Sequence, residues 1–122
     1  SMASDIAATG VEVRSRVIGS FGRIAASQAP ALAMVLNELV TNAIEHGLPM
    51  GGNLTVTVNR DGRHLTILVD DDGVGLHGHG PGSGLGTKIV RTMVAAELRG
   101  TIEWLDRESG GTRVQLEVTV ED

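Results

Sequence analysis

The chain has 122 residues, no cysteine and a formal net charge of −5. This length fits one compact domain, and no apolar run approaches the roughly 18 residues that cross a bilayer, so no spanning segment is predicted. The scattered basic residues and the single Trp and Phe disfavour nucleic-acid binding, while the lack of cysteine excludes a disulfide framework and suits a reducing, cytoplasmic compartment.

The beginning of the chain is expected to lie outside the fold. Ser1-Met2 is typical of a protease-cleavage remnant followed by a vector or initiator methionine, so residues 1–9 are interpreted as a vector-derived remnant and disordered lead-in. Residues 10–122 are then one domain of a longer protein. Within it, β-prone pieces at 11–18 and 21–26, broken by glycines, predict an edge hairpin.

An amphipathic helix is predicted next. Pro30 suits its first turn, and Gly47 and Pro49 end a pattern of apolar residues at helical spacing. The apolar positions are Leu32, Val35, Leu36, Leu39, Val40, Ala43 and Ile44. This stripe predicts the face of the helix that packs in the core.

The opposite stripe of this helix is polar and carries Glu38, Asn42, Glu45 and His46. A solvated face is the ordinary explanation of such a stripe. However, Asn is a poor residue inside a helix, and no capping role explains Asn42. Its amide oxygen suits Mg²⁺, and Glu38, one turn earlier, can orient or deprotonate an attacking group.

The hydrophobic period then changes from 3.6 to 2, which predicts a β-hairpin over 53–70 with its turn at Asp61-Gly62. The run Asp70-Asp71-Asp72-Gly73-Val74-Gly75 closes its second strand. One interpretation is a solvated turn. In the other, Asp71 accepts a hydrogen bond from an adenine amino group, and Gly73 and Gly75 let the backbone lie against the base.

Seven glycines between 72 and 86 predict an irregular loop that runs into a second helix over 85–98. The end of this loop, Gly82-Ser83-Gly84-Leu85-Gly86-Thr87-Lys88, offers backbone N–H groups at the positive end of that helix. Such a segment can cradle phosphate, with Ser83, Thr87 and Lys88 as auxiliary donors. A flexible glycine linker is the alternative.

Other nucleotide and metal motifs in the same region are rejected. Gly73 to Gly78 matches the dinucleotide fingerprint, but the glycines and Pro81 that follow prevent the helix that this motif requires. Gly86-Thr87-Lys88 has its lysine one place too late for a P-loop. His77 and His79 have no third ligand nearby, which favours a mobile loop over a metal site.

A last hairpin, turning at 109–111, ends the domain. The order of elements predicts an α+β fold: a two-layer α/β sandwich with helices packed on one face of a mixed, largely antiparallel sheet. Together the three motifs resemble the N box and the two glycine boxes of the GHKL ATPase superfamily, in the order found in sensor histidine kinases. The resemblance covers about residues 11–120 and implies the Bergerat fold with ATP and Mg²⁺ as cofactors.

By this resemblance, Glu38 is the catalytic residue that polarises the attacking group, Asn42 the Mg²⁺ ligand, and His46 a residue lining the nucleotide. Asp71 matches the adenine-binding aspartate, and Gly111-Thr112 the late Gly-Thr that closes the adenine pocket. The further nucleotide-binding positions it implies are Gly73, Gly75, Gly82, Ser83, Gly84, Leu85, Gly86 and Thr87.

The run from Asn37 to Ala43 is similar to the HWE-related soluble group of these kinases, in which Glu replaces the commoner second Asn. Glu45 departs from the family, which often has Lys or Arg there, and the short 75–82 segment implies a small ATP lid. All four histidines lie inside the predicted ATP-binding module. The phosphoacceptor histidine is therefore expected on an upstream dimerisation domain of the parent protein, with a response regulator downstream as in two-component signal transduction, and with no membrane contact by this domain.

Two other functions stay open. Anti-sigma-factor serine kinases of the same superfamily also favour an Asn-Ala-x-Glu-His pattern like Asn42 to His46. The domain can also be a nucleotide-binding interaction module without catalysis.

Overall fold

The computed structural model describes residues 11–82 and 84–121. The predicted remnant at 1–9 and Ser83 lie outside the described residues. The elements in chain order are β1 Val13–Gly19, α1 Ala29–Asn42, β2 Gly52–Asp61, β3 His64–Asp71, α2 Leu85–Ala96, β4 Thr101–Asp106 and β5 Thr112–Thr119. One turn of π-helix, Ala43–Gly47, extends α1. Neither helix is long and apolar enough to cross a membrane within these ranges.

The five strands form one sheet in the order β1-β2-β3-β5-β4. β1 pairs parallel with β2, and the other three pairs are antiparallel. Alternate residues of β2, β3 and β5 are buried together with the apolar stripes of α1 and α2, and they form one hydrophobic core. The predicted α+β sandwich with a mixed, largely antiparallel sheet is therefore confirmed.

The prediction of a hairpin at 11–26 is wrong, because the described part of this segment holds the single edge strand β1. Its parallel partner β2 is reached through α1, so the two strands are joined by a crossover and not by a tight turn. The segment that follows β1 is held by hydrogen bonds from a side chain and not by backbone pairing with a neighbouring strand. Arg60 Nη1 donates to the carbonyls of Phe21 and Arg23, both at 2.8 Å.

The predicted first helix is confirmed, with Pro30 in its first turn. It buries Ala31, Leu32, Val35 and Leu39, so the predicted apolar stripe faces the sheet. The hairpin of β2 and β3 is also confirmed, with Asp61 opposite His64 and Gly62 at a positive φ in the turn. β3 ends at Asp71 and its neighbour β5 begins at Thr112, which brings these two residues to one edge of the core.

Candidate functional site

A cavity of about 500 Å³ lies between the two helices and the ends of β3, β4 and β5. Nine of the residues predicted for the site line it: Glu38, Asn42, His46, Asp71, Gly75, Gly84, Gly86, Thr87 and Thr112. These residues come from segments that are distant in sequence, so the fold assembles one concave site from all three motifs. Concave sites with a few polar groups in an apolar lining are where small molecules bind.

Asp71 is the buried polar group of this cavity, and only 4% of its surface is exposed. The backbone N–H groups of Gly73 and Thr112 both donate to its Oδ1, at 3.0 and 3.3 Å. These are the hydrogen bonds of the carboxylate within the described residues, so Oδ2 is the atom available to a ligand. Burial raises the pKa of Asp71 above 3.8, and the two backbone hydrogen bonds oppose that rise.

The three consecutive aspartates have three different surroundings, which explains how the chain tolerates them. Asp70 forms a two-point ion pair with Arg113 on the neighbouring strand, at 2.7 and 2.9 Å. Asp72 accepts hydrogen bonds from the backbone and side-chain amides of Asn53, both at 2.7 Å. Asp71, on the other face of the strand from Asp70, is left to face the cavity.

Gly47, the last residue of the π turn, packs directly against Asp71. A β-carbon at Gly47 would lie 2.7 Å from Asp71 Oδ2. The Gly47 carbonyl accepts a hydrogen bond from Val74 N–H at 2.9 Å, and a β-carbon at Gly73 would overlap that carbonyl oxygen. Gly47 and Gly73 are thus required for the close contact between the end of α1 and the loop after β3.

The turn between β4 and β5 holds Asp71 from the other side. Arg107 Nη1 donates to the backbone carbonyl of Asp71 at 2.8 Å. Gly111 has a φ of 93° and packs so closely on that carbonyl that a β-carbon there would overlap it. The main chain of Asp71 is therefore fixed by the same turn whose Thr112 N–H holds its side chain.

Glu38 and Asn42 extend from α1, one helical turn apart, and both line the cavity. Glu38 lies against the first turn of α2, because a β-carbon at Gly86 would lie 2.8 Å from its Cδ and Oε1 atoms. The absence of a side chain at Gly86 makes room for this carboxylate. The polar stripe predicted for α1 thus faces α2 and the cavity, while Glu45 of that stripe is exposed and does not line it.

The cavity is negatively charged. Among the described residues its charged lining consists of Glu38 and Asp71, and no Lys or Arg belongs to it. A polyphosphate entering this cavity needs a compensating cation. Asn42 offers a neutral oxygen that suits Mg²⁺, which usually keeps several waters and takes its other ligands from substrate phosphates. In the described ranges no group of three or more His, Cys, Asp or Glu is arranged to hold a metal.

Three predicted site residues, Gly73, Gly82 and Leu85, do not line the cavity, and the side chain of Leu85 is largely in solvent. Their part in ligand binding stays a prediction, and Ser83 lies outside the described residues. Sequence reasoning missed a further set of lining residues: Leu39, Ala43, Gly47, Val69, Leu76, Pro81, Trp104 and Val114. The period-2 pattern of the strands offered a signal for part of this set, because Val69 and Val114 each lie two residues from a predicted site residue on the same face.

Comparisons with known proteins identify the family of the chain. Residues 27–122 match the family of histidine kinase-, DNA gyrase B-, and HSP90-like ATPases. The chain is 40% identical to sensor histidine kinase PdtaS of Mycolicibacterium smegmatis and 39% identical to PdtaS of Mycobacterium tuberculosis, in each case over 96% of its length. It spans only 25% of the length of these relatives.

Among solved structures, the chain resembles the histidine kinase domain of a blue-light activated histidine kinase from Erythrobacter litoralis, with a TM-score of 0.79. That match covers 98% of this chain and 58% of the other. At 23% sequence identity the likeness is one of fold.

Proposed function

The chain belongs to the histidine kinase-, DNA gyrase B- and HSP90-like ATPase family, and from this we propose that it binds Mg-ATP and donates the γ-phosphoryl group to a histidine. The acceptor histidine lies on a dimerisation and phosphoacceptor domain of the parent protein, outside these 122 residues. The observation that carries the proposal is the buried Asp71, which lines one cavity together with Glu38 and Asn42.

Asp71 is the adenine acceptor in this proposal. An adenine amino group donates to Oδ2, while Oδ1 stays bonded to the backbone of Gly73 and Thr112. Apolar side chains of Val69, Val114 and Trp104 line the same cavity and offer a surface for the purine ring. A buried acceptor of this kind rejects bases that lack the amino group, because the partner atoms are then left unpaired.

The triphosphate extends from this end towards α2. Gly84 and Gly86 line the cavity at the start of that helix, where unpaired backbone N–H groups and the helix dipole favour negative charge. Asn42 would hold Mg²⁺, which supplies positive charge next to the phosphate oxygens. This charge is needed because the cavity lining itself contributes only carboxylates among its charged groups.

Glu38 is proposed to orient the acceptor. Its carboxylate lies beside the N-terminal turn of α2, where the γ-phosphate is expected, and can accept a hydrogen bond from an imidazole N–H. The other imidazole nitrogen then attacks the γ-phosphorus in line, the bond to the bridging oxygen breaks, and ADP leaves. Most of the catalysis is positioning of the two reactants.

The comparisons support a histidine kinase over the two alternatives. The relatives at about 40% identity are sensor histidine kinases by name. We propose that the parent protein acts in two-component signal transduction, with an upstream phosphoacceptor domain and a downstream response regulator as partners and with this domain in the cytoplasm. An anti-sigma-factor serine kinase and a non-catalytic nucleotide-binding module become outcomes of the test below.

The test uses the parent protein with its upstream domains and γ-labelled ATP. We expect a label that is stable in alkali and lost in acid, as for phosphohistidine, and a loss of about 100-fold or more in labelling rate for Glu38→Ala. Glu45→Ala is the matched control, because it removes the same charge from an exposed position on the π-helical turn that extends α1. An acid-stable label on a partner protein would favour the serine kinase. ATP binding without any label would favour the interaction module.

A further inference from the structure

The carboxylate of Asp106, the last residue of β4, holds the loop that follows β3. Oδ1 accepts hydrogen bonds from the backbone N–H groups of Leu76 and His77, at 2.6 and 3.3 Å, and Oδ2 accepts one from Gly78 at 2.9 Å. The backbone has positive φ values at Gly75, His77 and Gly78. This conformation directs the N–H groups of Leu76, His77 and Gly78 towards the one carboxylate. Successive amides arranged in this way form a concave site for an anion, which here is the Asp106 side chain.

This contact is the main attachment of the loop. Within the described residues, the remaining backbone hydrogen bond of the 75–82 segment runs inside the segment itself, from His79 N–H to Leu76 O. Asp106 is therefore the hydrogen-bonded link between this segment and the sheet. The backbone hydrogen bonds of Gly78 and Leu76 hold the pKa of Asp106 below 3.8, so the carboxylate is charged at neutral pH.

The same turn also holds the proposed adenine acceptor. Arg107, next to Asp106, donates to the carbonyl of Asp71, and Thr112, at the other end of the turn, donates to Asp71 Oδ1. Leu76, which Asp106 holds by its N–H, lines the cavity together with Asp71. One turn thus fixes two parts of the cavity lining, Asp71 and Leu76.

We propose that Asp106 is a positioning residue for nucleotide binding, which holds the Leu76–Gly78 segment across the adenine end of the cavity. This inference rests on the proposed function, because it assigns Asp106 to the site where Asp71 receives the base. Asp106 itself is exposed and lies outside the hydrophobic core. Its removal therefore affects the order of the loop and leaves the hydrophobic core intact.

The first arm of the test measures amide hydrogen exchange in the 122-residue chain without nucleotide. Asp106→Ala is expected to expose the amides of Leu76, His77 and Gly78 to fast exchange. The amides of Gly73 and Thr112, which are bonded to Asp71, stay protected. Asp106→Asn keeps one acceptor oxygen. In this variant some of the three amides are expected to stay protected and the others to exchange fast.

The second arm measures nucleotide affinity by calorimetry. Because the segment is proposed to lie at the adenine end, Asp106→Ala is expected to weaken the binding of ATP and of ADP by the same factor, about tenfold. The affinities of Asp106→Asn should lie between those of Asp106→Ala and the unmodified chain. Glu103→Ala, on the same strand and also exposed, is the control for the loss of one charge, and its affinities stay unchanged.

The outcomes separate this inference from the proposed function. If the unmodified chain binds no adenine nucleotide, the proposed function fails. If the unmodified chain binds ATP and Asp106→Ala binds it equally well, or if the Leu76 to Gly78 amides keep their protection in that variant, the role of Asp106 is overturned. A loss confined to ATP, with ADP unaffected, would also overturn it, because it would place the effect at the γ-phosphate.

Discussion

Gly47 and Asp71 fit together only because residue 47 has no side chain: a β-carbon there would lie 2.7 Å from Asp71 Oδ2. Asp71 has little freedom to move away, since its Oδ1 is fixed by two backbone N–H groups and its carbonyl by Arg107. The end of α1 therefore sets the position of the oxygen that is proposed to receive adenine.

From this contact we predict that Gly47→Ala lowers the free energy of unfolding by about 1–3 kcal/mol, the usual cost of an extra methyl group in a packed site, and weakens ATP binding because the Asp71 carboxylate is displaced. Calorimetry with Mg-ATP measures the change in affinity. Gly80→Ala is the control, because a β-carbon at Gly80 meets nothing within 4 Å. Equal ATP affinities for the two variants would contradict the role of this contact.

A second prediction concerns Gly86 and Glu38. Gly86→Ala places a methyl group 2.8 Å from the Glu38 carboxylate, which must then turn away from the start of α2. We expect phosphoryl transfer by the parent protein to fall at least about tenfold. The thermal midpoint should stay the same or rise, because Ala is more favourable than Gly in a helix by about 1 kcal/mol. Transfer at the unmodified rate would show that the position of Glu38 does not matter.

A third prediction uses the opposite pKa shifts of two adjacent aspartates. The pKa of Asp71 is raised by burial, so its charged form destabilises the folded state, and this penalty disappears as the pH falls through the raised pKa. The pKa of Asp72 is lowered by hydrogen bonds from Asn53, so its charged form stabilises the fold above pH 3.8, and this contribution is lost as the pH falls through the lowered pKa.

At pH 7, Asp71→Asn is therefore expected to unfold at the same or a higher temperature than the unmodified chain, and Asp72→Asn at a lower one. Both differences should shrink as the unmodified chain is acidified and its own carboxylates take up protons. Thermal unfolding of the three proteins over a pH series measures this. Shifts of the same sign in the two variants would show that the assigned surroundings are wrong.

A fourth prediction concerns stability at a distance from the site. Gln28, only 2% exposed, donates to the carbonyls of Glu97 and Thr119 and accepts from the N–H of Glu121. Gln28→Ala removes a buried side chain that pairs with three backbone groups, and it is expected to reduce the free energy of unfolding by about 1–3 kcal/mol.

Urea unfolding measures the effect of Gln28→Ala, and ATP affinity should not change because Gln28 does not line the cavity. Ser27→Ala, which removes one exposed hydrogen bond to Glu121, should cost far less. A loss for Gln28→Ala no greater than that for Ser27→Ala would contradict the role of this buried side chain.

Much of the fold follows from local patterns. The helical spacing before Gly47 and the alternation through β2 and β3 each predicted an element that the structure contains. In these segments the apolar residues that recur at the predicted period are the ones that face the core. The edge hairpin failed for a non-local reason. The carbonyls of Phe21 and Arg23 accept hydrogen bonds from the side chain of Arg60, which lies 39 and 37 residues later, and no local pattern reports such a partner.

The candidate site, like the fold, could be predicted only in part from local sequence. Asn42 was predicted because Asn is unfavourable inside a helix, Glu38 because it lies one turn before Asn42, and Asp71 because three consecutive aspartates are unusual at the end of a strand. Asp106 and Arg107 were missed, because a charged residue in a hairpin turn is ordinary, and only the tertiary contacts to Leu76 and Asp71 distinguish them. Gly47 was read as a helix stop, whereas its close contact with Asp71 depends on the packing of two distant segments.

The most direct test of the central claim is a calorimetric titration of the 122-residue chain and its Asp71→Ala variant with Mg-ATP. We also include Mg-ITP, which has a carbonyl in place of the adenine amino group. The unmodified chain is expected to prefer ATP, and Asp71→Ala to lose about 2 kcal/mol of ATP affinity, roughly 30-fold, together with that preference. Unchanged ATP affinity in Asp71→Ala would contradict the claim that the base binds at this carboxylate.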